Sequence, residues 1–597
     1  MSLKTAGAVF LPGFVFGTLV QTAWPAWNGK KFRFVWACIA LTGFSLLFQT
    51  RIPYYQEFHN AFSPFIFNTF RDDVNAIVQT SIQQYGAVWR ILLGLICAAA
   101  WAWGCKQWFR LDRLISKPFL KVRRKWVAVV CICLLLVPTA VFVRKGGSFT
   151  YKGSIYWKNA ARMKEHLLNE AILDDVQALY KASRIYKKFS KSFSGLTASE
   201  VRESAARLLG QNAYTANSLL PLLHKTARGN LIPKPRHIFV IVAETYMMWP
   251  LTEEYKNLPI ASGMRTLAAR KDALLVAYFL PASNGTMFGL TSVLLGLPEA
   301  NLLTANRPSA QKPYETALSV QLADQGYKTR FFYGGFPSWE NVGLFMENQG
   351  MQETFYAADF NAKGGVWGVP DREFLQGVAD KIGEEPSLNL ILTSSNHPPY
   401  TVDMARERDI TSETELRKLL PSSVADEQLM LERLRHFEYA DKYLTDFVQQ
   451  MYRKYPDSLF IITGDHAERW TLKSSPSYYE RYAVPLLIVG KGIRKNMLPS
   501  RTTGAHLDIV PTVMELILPK GASYYALGKS VLLGQDIGVH AYAFITPDFI
   551  FEESARQLQP LAQNKPAPTD AAPFQQRIQD LRKITAWRVL HGTDLPQ

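Results

Sequence analysis

The chain has 597 residues, enough for several domains, and its 67 lysines and arginines against 50 aspartates and glutamates give a net charge of +17. That charge is uneven: residues 1–150 carry 17 basic and 4 acidic side chains, a net of +13, which leaves +4 for 151–597. Basicity confined to one quarter of the chain argues against a nucleic-acid partner and favours contact with anionic lipid headgroups.

Four apolar stretches in the first quarter predict a transmembrane domain over residues 1–146. They cover 6–24, 34–50, 88–104 and 126–143, each close to the roughly 20 residues that cross a bilayer. None is followed by a signal-peptidase pattern, so we expect anchors that stay in the protein. The loop between the third and fourth spans is strongly basic, which assigns it to the cytoplasm and assigns the chain after residue 146 to the opposite side.

All five cysteines lie in or beside the predicted spans, and none follows residue 150. The long outer part therefore has no disulfide framework, and a cysteine nucleophile or cysteine metal ligand is excluded there.

The outer part is predicted to be an α/β domain over 236–550, with a mostly parallel sheet sandwiched by helices. Short apolar runs alternate with helical patterns, as expected for such a sheet. The predicted strands are His237–Ala243, Ala273–Phe279, Lys328–Tyr333, Leu388–Thr393, Ser458–Thr463 and Val484–Val489. We expect a helical linker at 147–235, either lying along the headgroups or acting as a solvated spacer, and a Pro/Ala-rich connector with a final helix at 551–597.

Polar residues follow two of these strands at the point where each ends. Asp465 and His466 come directly after Gly464, and Glu244 follows the first strand. Ligands of open α/β sheets gather at this edge, where a carboxylate is a suitable ligand for a hard metal ion. Each signal is weak alone, because a helix cap or a surface hydrogen bond would give the same pattern.

Two further residues are candidates for chemistry on an anionic substrate. Thr286 stands at the amino end of a short apolar helix, where the backbone favours an anion, although a threonine there is commonly only an N-cap. His397 precedes two prolines just past a strand and could donate to a phosphoryl oxygen, or could be a structural histidine of the loop.

Taken in order, these segments resemble the lipoteichoic-acid synthase-like branch, the phosphoglycerol transferases, of the alkaline-phosphatase/sulfatase superfamily. The resemblance covers roughly 236–520 and includes the amino-terminal anchor. The motifs are the strand ending in Glu244, Gly285-Thr286, Asn396-His397-Pro398-Pro399-Tyr400, Phe437-Glu438-Tyr439-Ala440-Asp441, Gly464-Asp465-His466, Val484-Pro485-Leu486-Leu487-Ile488 and His506-Leu507-Asp508.

The resemblance implies an alkaline-phosphatase-like fold in which Thr286 is the nucleophile. It also implies one divalent cation bound by Glu244, Thr286, Asp465 and His466, with His397 and Trp339 contacting substrate. Two carboxylates, an imidazole and an alkoxide suit Mn²⁺ in the first place, with Mg²⁺ or Zn²⁺ also compatible.

The implied activity is the transfer of a phosphoglycerol headgroup from phosphatidylglycerol, an anionic phospholipid, through a phosphothreonine. The acceptor would be an envelope glycan or a glycerol-phosphate polymer. The enzyme would be a multi-pass protein of the bacterial cytoplasmic (inner) membrane, with its catalytic domain in the periplasm. A phosphoethanolamine transferase and a non-catalytic scaffold of envelope assembly are the alternatives. A sulfatase is excluded, because no Cys/Ser-x-Pro-x-Arg motif occurs.

The sequence departs from the family at two points. Asn341 stands two residues after Trp339, where the family pattern leads us to expect an arginine that contacts glycerol phosphate. The family has five spans where we count four. The first departure leaves the donor headgroup open. The second leaves open on which side of the membrane the amino terminus lies.

Overall fold

The structure is a computed structural model that forms two compact units, Met1–Lys188 and Phe189–Gln597. It describes residues 2–24, 26–58, 62, 66–67, 82, 86–115, 134, 138–150, 174–189, 193, 195–300, 302–364, 367–397, 400–424, 426–467, 470–473, 475–553, 557–561 and 571–596.

The first unit is helical where it is described. Its helices are α1 (Ser2–Ala23), α2 (Gly29–Phe58), α3 (Ala87–Ile115) and α4 (Asp175–Phe189). Two segments, Gly29–Tyr54 and Ala87–Gln107, are long and apolar enough to cross a membrane, and they contain the second and third predicted spans. The first predicted span lies within α1. Most of the fourth, 126–143, lies outside the described residues, so the four-span domain stays a prediction.

The second unit is built on a seven-stranded sheet whose order is β3-β9-β8-β2-β7-β5-β6. Five neighbouring strands, from β8 to β6, run parallel, and only β9 is antiparallel to its neighbours. The predicted mostly parallel sheet is therefore correct. The strands are β2 (His237–Ala243), β3 (Ala273–Val276), β5 (Lys328–Tyr333), β6 (Glu353–Phe355), β7 (Ser387–Leu392), β8 (Leu459–Gly464) and β9 (Leu486–Gly490).

Every residue of β2, β7, β8 and β9 is buried, as expected for a sheet covered on both faces. Helix α13 packs against α7 and α11, and α8 packs against α15. The helices of this unit are α5 (Ala198–Leu209), α6 (Leu220–Leu223), α7 (Ser262–Ala269), α8 (Thr286–Leu295), α9 (Leu318–Asp324), α10 (Val342–Asn348), α11 (Asp371–Lys381), α12 (Glu413–Arg417), α13 (Glu427–Lys454), α14 (Tyr478–Tyr482), α15 (Ile509–Ile517) and α16 (Ala572–His591).

The predicted strand Ala273–Phe279 is wrong in one respect, because the chain divides there into two strands. Pairing of β3 with β9 ends at Val276 and Leu486, next to Pro485, which has no N–H to donate to a ladder. Residues Tyr278–Leu280 then form β4, which pairs with β10 outside the main sheet. The remaining strands are β1 (His224–Thr226), β10 (Thr503–Ala505), β11 (Ser523–Tyr525), β12 (Gly538–Val539), β13 (Ala543–Ile545), β14 (Phe549–Glu552) and β15 (Gln557–Pro560). They form three small sheets: β1 with β11, β4 with β10, and β12 to β15 in order.

The carboxyl-terminal helix α16 closes the second unit by packing on α5. Asp580 on α16 is 1% exposed, and Arg207 on α5 binds both of its oxygens at 2.9 and 2.7 Å. Because a buried carboxylate needs compensating donors, this ion pair ties the start of the unit to its end.

We expect Arg207→Ala to lower the free energy of unfolding by roughly 1–2 kcal/mol, because it leaves the Asp580 carboxylate buried with fewer donors while the arginine itself is half exposed. Chemical denaturation of the detergent-solubilised chain measures this. Lys256→Ala, which removes an exposed ion pair with Glu253, is the matched control and should change stability by less than about 0.5 kcal/mol. Equal effects of the two substitutions would contradict this role for Asp580.

Candidate metal centre and nucleophile

The centre begins where β2 and β8 end side by side. Their last paired residues are Ala243 and Gly464, so Glu244 and Asp465 leave the sheet as neighbours. A Cβ on Gly464 would lie 2.1 Å from the Tyr246 carbonyl oxygen, far inside contact distance. Glycine is therefore required at the end of β8, because the turn after β2 passes directly against its backbone.

The turn after β2 fixes both carboxylates through Thr245. Its backbone N–H donates to Asp465 Oδ1 at 2.6 Å, and its hydroxyl donates to Glu244 Oε1 at 2.7 Å. To do this, Thr245 adopts φ +50°, a left-handed conformation that is costly for a β-branched residue.

The two carboxylate oxygens of Asp465 have different surroundings. Oδ1 accepts from the N–H groups of Thr245 and His466, the latter at 2.7 Å. Oδ2 is buried and has no hydrogen-bond partner among the described residues. A buried carboxylate oxygen without a donor is rare in folded proteins, so this atom points to a bound cation.

The imidazole of His466 completes a three-residue cluster. Its Nε2 lies 3.4 Å from Asp465 Oδ2 and 3.9 Å from Glu244 Oε1. Its Nδ1 lies 3.0 Å from the Ala467 carbonyl, which can only accept, so in the neutral ring Nδ1 holds the proton and the Nε2 lone pair faces the carboxylates. One ligand atom from each of the three residues lies within 4.8 Å of the others. This donor set fits a divalent metal ion.

Thr286 is brought to the same cluster as the first residue of α8. Its hydroxyl donates to Glu244 Oε2 at 3.2 Å, and the side chain is 9% exposed. Gly289, one turn later, approaches the Asp465 carbonyl so closely that a Cβ would lie 2.4 Å from it. The amino end of α8 is thus held against the metal cluster, and the positive end of the helix dipole suits an anionic group there.

The loop that carries His397 is attached to the cluster through its neighbours. Asn396 donates from Nδ2 to the carbonyls of Glu244 and Thr245 at 3.3 and 3.2 Å. Asp371 accepts from the backbone N–H groups of Ser394 and Ser395. Burial raises the pKa of Asp371 to about 6. His397 itself is half-buried beside Trp367, with ring centroids 3.9 Å apart. Pro398 and Pro399 lie outside the described residues.

Trp339 lies in the segment after β5, with its ring 5.8 Å from that of Tyr333, the last residue of β5. Asn341, two residues after Trp339, is buried and has φ +65°. Its side-chain amide donates to the Ala305 carbonyl at 3.1 Å. The residue at the family's arginine position therefore acts as an internal brace in this chain.

Three residues beside the cluster were not predicted from the sequence: Thr245, Asn396 and Tyr333. Burial raises the pKa of the Tyr333 hydroxyl, and the charges of Glu244 and Asp465 raise it further, which indicates that this side chain is near both carboxylates. Tyr333 ends β5 as Ala243 ends β2, so extending the strand-end rule to β5 would have found it. Thr245 acts through its backbone N–H and its hydroxyl, and Asn396 through bonds to two backbone carbonyls; no local pattern specifies either set of contacts.

We expect Asp465→Asn to weaken divalent-metal binding by more than the roughly 10- to 100-fold that the loss of a supporting partner costs, because Oδ2 faces the cluster directly. Isothermal titration of the metal-stripped chain with Mn²⁺ measures this. Unchanged affinity with an intact fold would mean that the metal, if one binds, is elsewhere.

Thr245→Val should weaken metal binding about tenfold while leaving the fold intact, because valine keeps the shape but cannot donate to Glu244 Oε1. Thr252→Val, which removes a hydroxyl bonded only to the nearby Trp249 carbonyl, is the matched control in the same titration. Identical affinities for the two variants would show that Thr245 does not orient Glu244.

The segment that carries this centre is similar to known proteins. Residues 236–517 match the family model described as Sulfatase. A protein of the alkaline phosphatase superfamily from Vibrio parahaemolyticus is 18% identical over 68% of this chain and 98% of that chain, with a TM-score of 0.48. The lipoteichoic acid synthase LtaP from Listeria monocytogenes is 15% identical over 65% and 97%, with a TM-score of 0.49. The phosphoglycerol transferase GacH from Streptococcus pyogenes, solved with sn-glycerol-1-phosphate, is 12% identical over 66% and 92%, with a TM-score of 0.38. The match to the sulfatase family model thus covers 236–517, the segment whose motifs resemble the alkaline-phosphatase/sulfatase superfamily.

Proposed function

We propose that this protein is a membrane-anchored, metal-dependent phosphotransferase that moves a phosphoglycerol headgroup from phosphatidylglycerol to an envelope glycan or polymer. One observation carries the proposal: the Thr286 hydroxyl, at the amino end of α8, bonds to a carboxylate of a buried Glu244–Asp465–His466 cluster. A hydroxyl in that position is arranged for attack on an anionic phosphorus centre.

Glu244, Asp465 and His466 would hold one divalent ion, with Thr286 as a further ligand. Oxygen and nitrogen donors of this kind suit Mn²⁺ first, and Mg²⁺ or Zn²⁺ also. The ion would supply charge neutralisation and a lowered pKa for the threonine hydroxyl, which is a poor nucleophile on its own.

In the first step Thr286 Oγ forms a bond to the donor's phosphorus while the bond from phosphorus to the diacylglycerol oxygen breaks. Glu244 Oε2 already accepts the Thr286 hydroxyl hydrogen and is placed to take that proton. His397 contacts the phosphoryl group and supplies a proton to the departing diacylglycerol oxygen. In the second step an acceptor hydroxyl gives its proton to His397 and attacks the phosphorus, while Glu244 returns the proton to Thr286 Oγ as the phosphothreonine bond breaks.

The aromatic side chains near the centre are proposed to hold the headgroup. Trp339 with Tyr333 on one strand end, and His397 with Trp367 on another, bring flat rings to the carboxyl edge of the sheet. The glycerol of a phosphoglycerol headgroup has a carbon skeleton and two free hydroxyl groups, so it can lie against an aromatic ring and form hydrogen bonds at its edges. Of these four residues, Trp339 would determine specificity for the headgroup.

The proposed site of action is the periplasmic face of the bacterial cytoplasmic membrane. Two described helices are long and apolar enough to cross a bilayer, and the net positive charge concentrates in 1–150, as expected for a multi-pass anchor that keeps its basic loops inside. The proposed organisation is a transmembrane domain at 1–146, a helical linker at 147–235, the catalytic domain at 236–550 and a terminal connector and helix at 551–597.

Phosphoethanolamine transfer is the second candidate, and Asn341 favours keeping it. An asparagine amide is uncharged, so this position supplies no cation to a glycerol phosphate where the family pattern leads us to expect an arginine. A non-catalytic scaffold is disfavoured, because the chain keeps Glu244, Thr286, Asp465 and His466 in one cluster, an arrangement that a scaffold does not need.

The detergent-solubilised full chain, loaded with Mn²⁺, should be incubated with phosphatidylglycerol or phosphatidylethanolamine labelled in the headgroup. We expect label from phosphatidylglycerol on Thr286, release of diacylglycerol, and loss of both in Thr286→Ala. Thr291→Ala, a similarly buried threonine of the same helix, is the control and should keep labelling.

Label from the ethanolamine lipid alone would replace the proposed donor with the second candidate. Metal-loaded wild type that takes label from neither lipid would contradict the phosphothreonine mechanism.

A further inference from the structure

The loop that precedes the nucleophile is held from two sides by histidines. On the catalytic side, His506 Nδ1 accepts from Ala282 N–H and its Nε2 donates to the Gly464 carbonyl at 2.9 Å. On the other side, His540 contacts Asn284, which is two residues before Thr286. His540 lies beyond residue 517, outside the segment that matches the sulfatase model.

The proton on His540 can be assigned from its neighbours. Nδ1 accepts from the Tyr542 backbone N–H at 3.0 Å, so Nε2 carries the hydrogen and donates to Asn284 Oδ1 at 2.8 Å. Burial, with a smaller contribution from the Arg582 charge, lowers the pKa of His540 to about 3, which keeps the ring in this neutral form. The amide of Asn284 thus has a fixed plane, with its Nδ2 end opposite the histidine.

The support behind His540 is rigid. Arg582 of α16 is 8% exposed and donates from Nη2 to the carbonyls of His540 and Ala541 at 3.1 and 2.8 Å, while Glu553 pairs with the same guanidinium. The Ala541 N–H in turn donates to the Ala282 carbonyl at 2.8 Å. The carboxyl-terminal sheet and α16 therefore position the loop that leads to the nucleophile.

Gly285 holds Asn284 and Thr286 close together. Its backbone is extended, with φ −158° and ψ 143°, and the Cα atoms on either side of an extended residue lie about 7 Å apart. Asn284 is exposed while Thr286 is 9% exposed, so Asn284 is the more accessible of the two. A phosphoryl group on Thr286 Oγ would lie within reach of a side chain at that distance.

We propose that Asn284 is a further catalytic residue, whose amide N–H donates to a nonbridging oxygen of the transferred phosphoryl group, and that His540 is its positioning residue. The inference rests on the proposed phosphotransfer. An amide donates a hydrogen bond to the phosphoryl oxygen without adding a charge beside the metal ligands. The carboxyl-terminal sheet is then part of the catalytic site.

The test follows the rate of headgroup transfer to Thr286 from labelled phosphatidylglycerol, in full-length variants whose thermal unfolding is measured in parallel. Asn284→Ala should lower kcat/KM about tenfold, the effect of one hydrogen bond to a charged group. Asn284→Asp keeps the acceptor for His540 but replaces the donor by a negative charge, and should lower it further. Asn284→Asp keeps the acceptor for His540 and should unfold near the wild-type temperature, whereas Asn284→Ala leaves the buried His540 N–H without this acceptor and should unfold at a lower one, so rates are compared well below both transitions.

His540 is tested by a double-mutant cycle. His540→Phe should lower kcat/KM in the wild type but have no further effect in Asn284→Ala, and His540→Gln, which can still donate to Oδ1, should recover part of the rate. His224→Phe, an exposed histidine bonded to Ser523, is the control.

Unchanged kcat/KM in both Asn284 variants would overturn the proposal, and additive losses in the double mutant would reduce His540 to a structural residue. Wild type that takes up no label would instead contradict the phosphotransfer on which the inference rests.

Discussion

The close approach of the turn after β2 to the end of β8 is the contact on which the site depends. Gly464 permits it, because any side chain there would occupy the position of the Tyr246 carbonyl. The approach lets Thr245 reach Asp465, and through its hydroxyl also Glu244, so that one residue orients two metal ligands. A methyl group at Gly464 would separate the two strand ends and with them the two carboxylates.

The cluster gathers negative charge and lone pairs in a buried place, which is unfavourable unless a cation binds. Glu244 is 4% exposed, Asp465 is fully buried, and His466 is 1% exposed. Burying carboxylates at this density is costly, and the left-handed backbone of Thr245 adds strain. The fold stabilises this arrangement by surrounding it with complete parallel strands and with the backbone donors that satisfy Asp465 Oδ1. Strain and unpaired buried oxygens are both typical of sites that bind a ligand.

Much of this could be predicted from the sequence, because strand ends and helix starts are local features. Glu244, Asp465 and His466 follow buried strands directly, and Thr286 opens an apolar helix, so their meeting follows once a parallel sheet is predicted. The residues are indeed together, whereas their chemical roles stay predictions.

The remainder depends on contacts between distant parts of the chain. His540 and Asn284 are 256 residues apart, and no periodicity indicates that a short carboxyl-terminal sheet reaches the nucleophile loop. The division of Ala273–Phe279 depends on Pro485, which directly precedes the neighbouring strand β9. The inward orientation of Asn341 depends on its left-handed backbone and the Ala305 carbonyl, neither of which its own sequence neighbourhood predicts.

Anomalous diffraction from crystals of the full chain grown with Mn²⁺ tests the central claim most directly. We expect one strong manganese peak coordinated by Glu244, Asp465 and His466, with Thr286 Oγ also within a ligand distance of about 2.0–2.6 Å. A peak at another place, or a manganese ion bound by the three side chains with Thr286 Oγ far outside that distance, would contradict a metal-activated threonine.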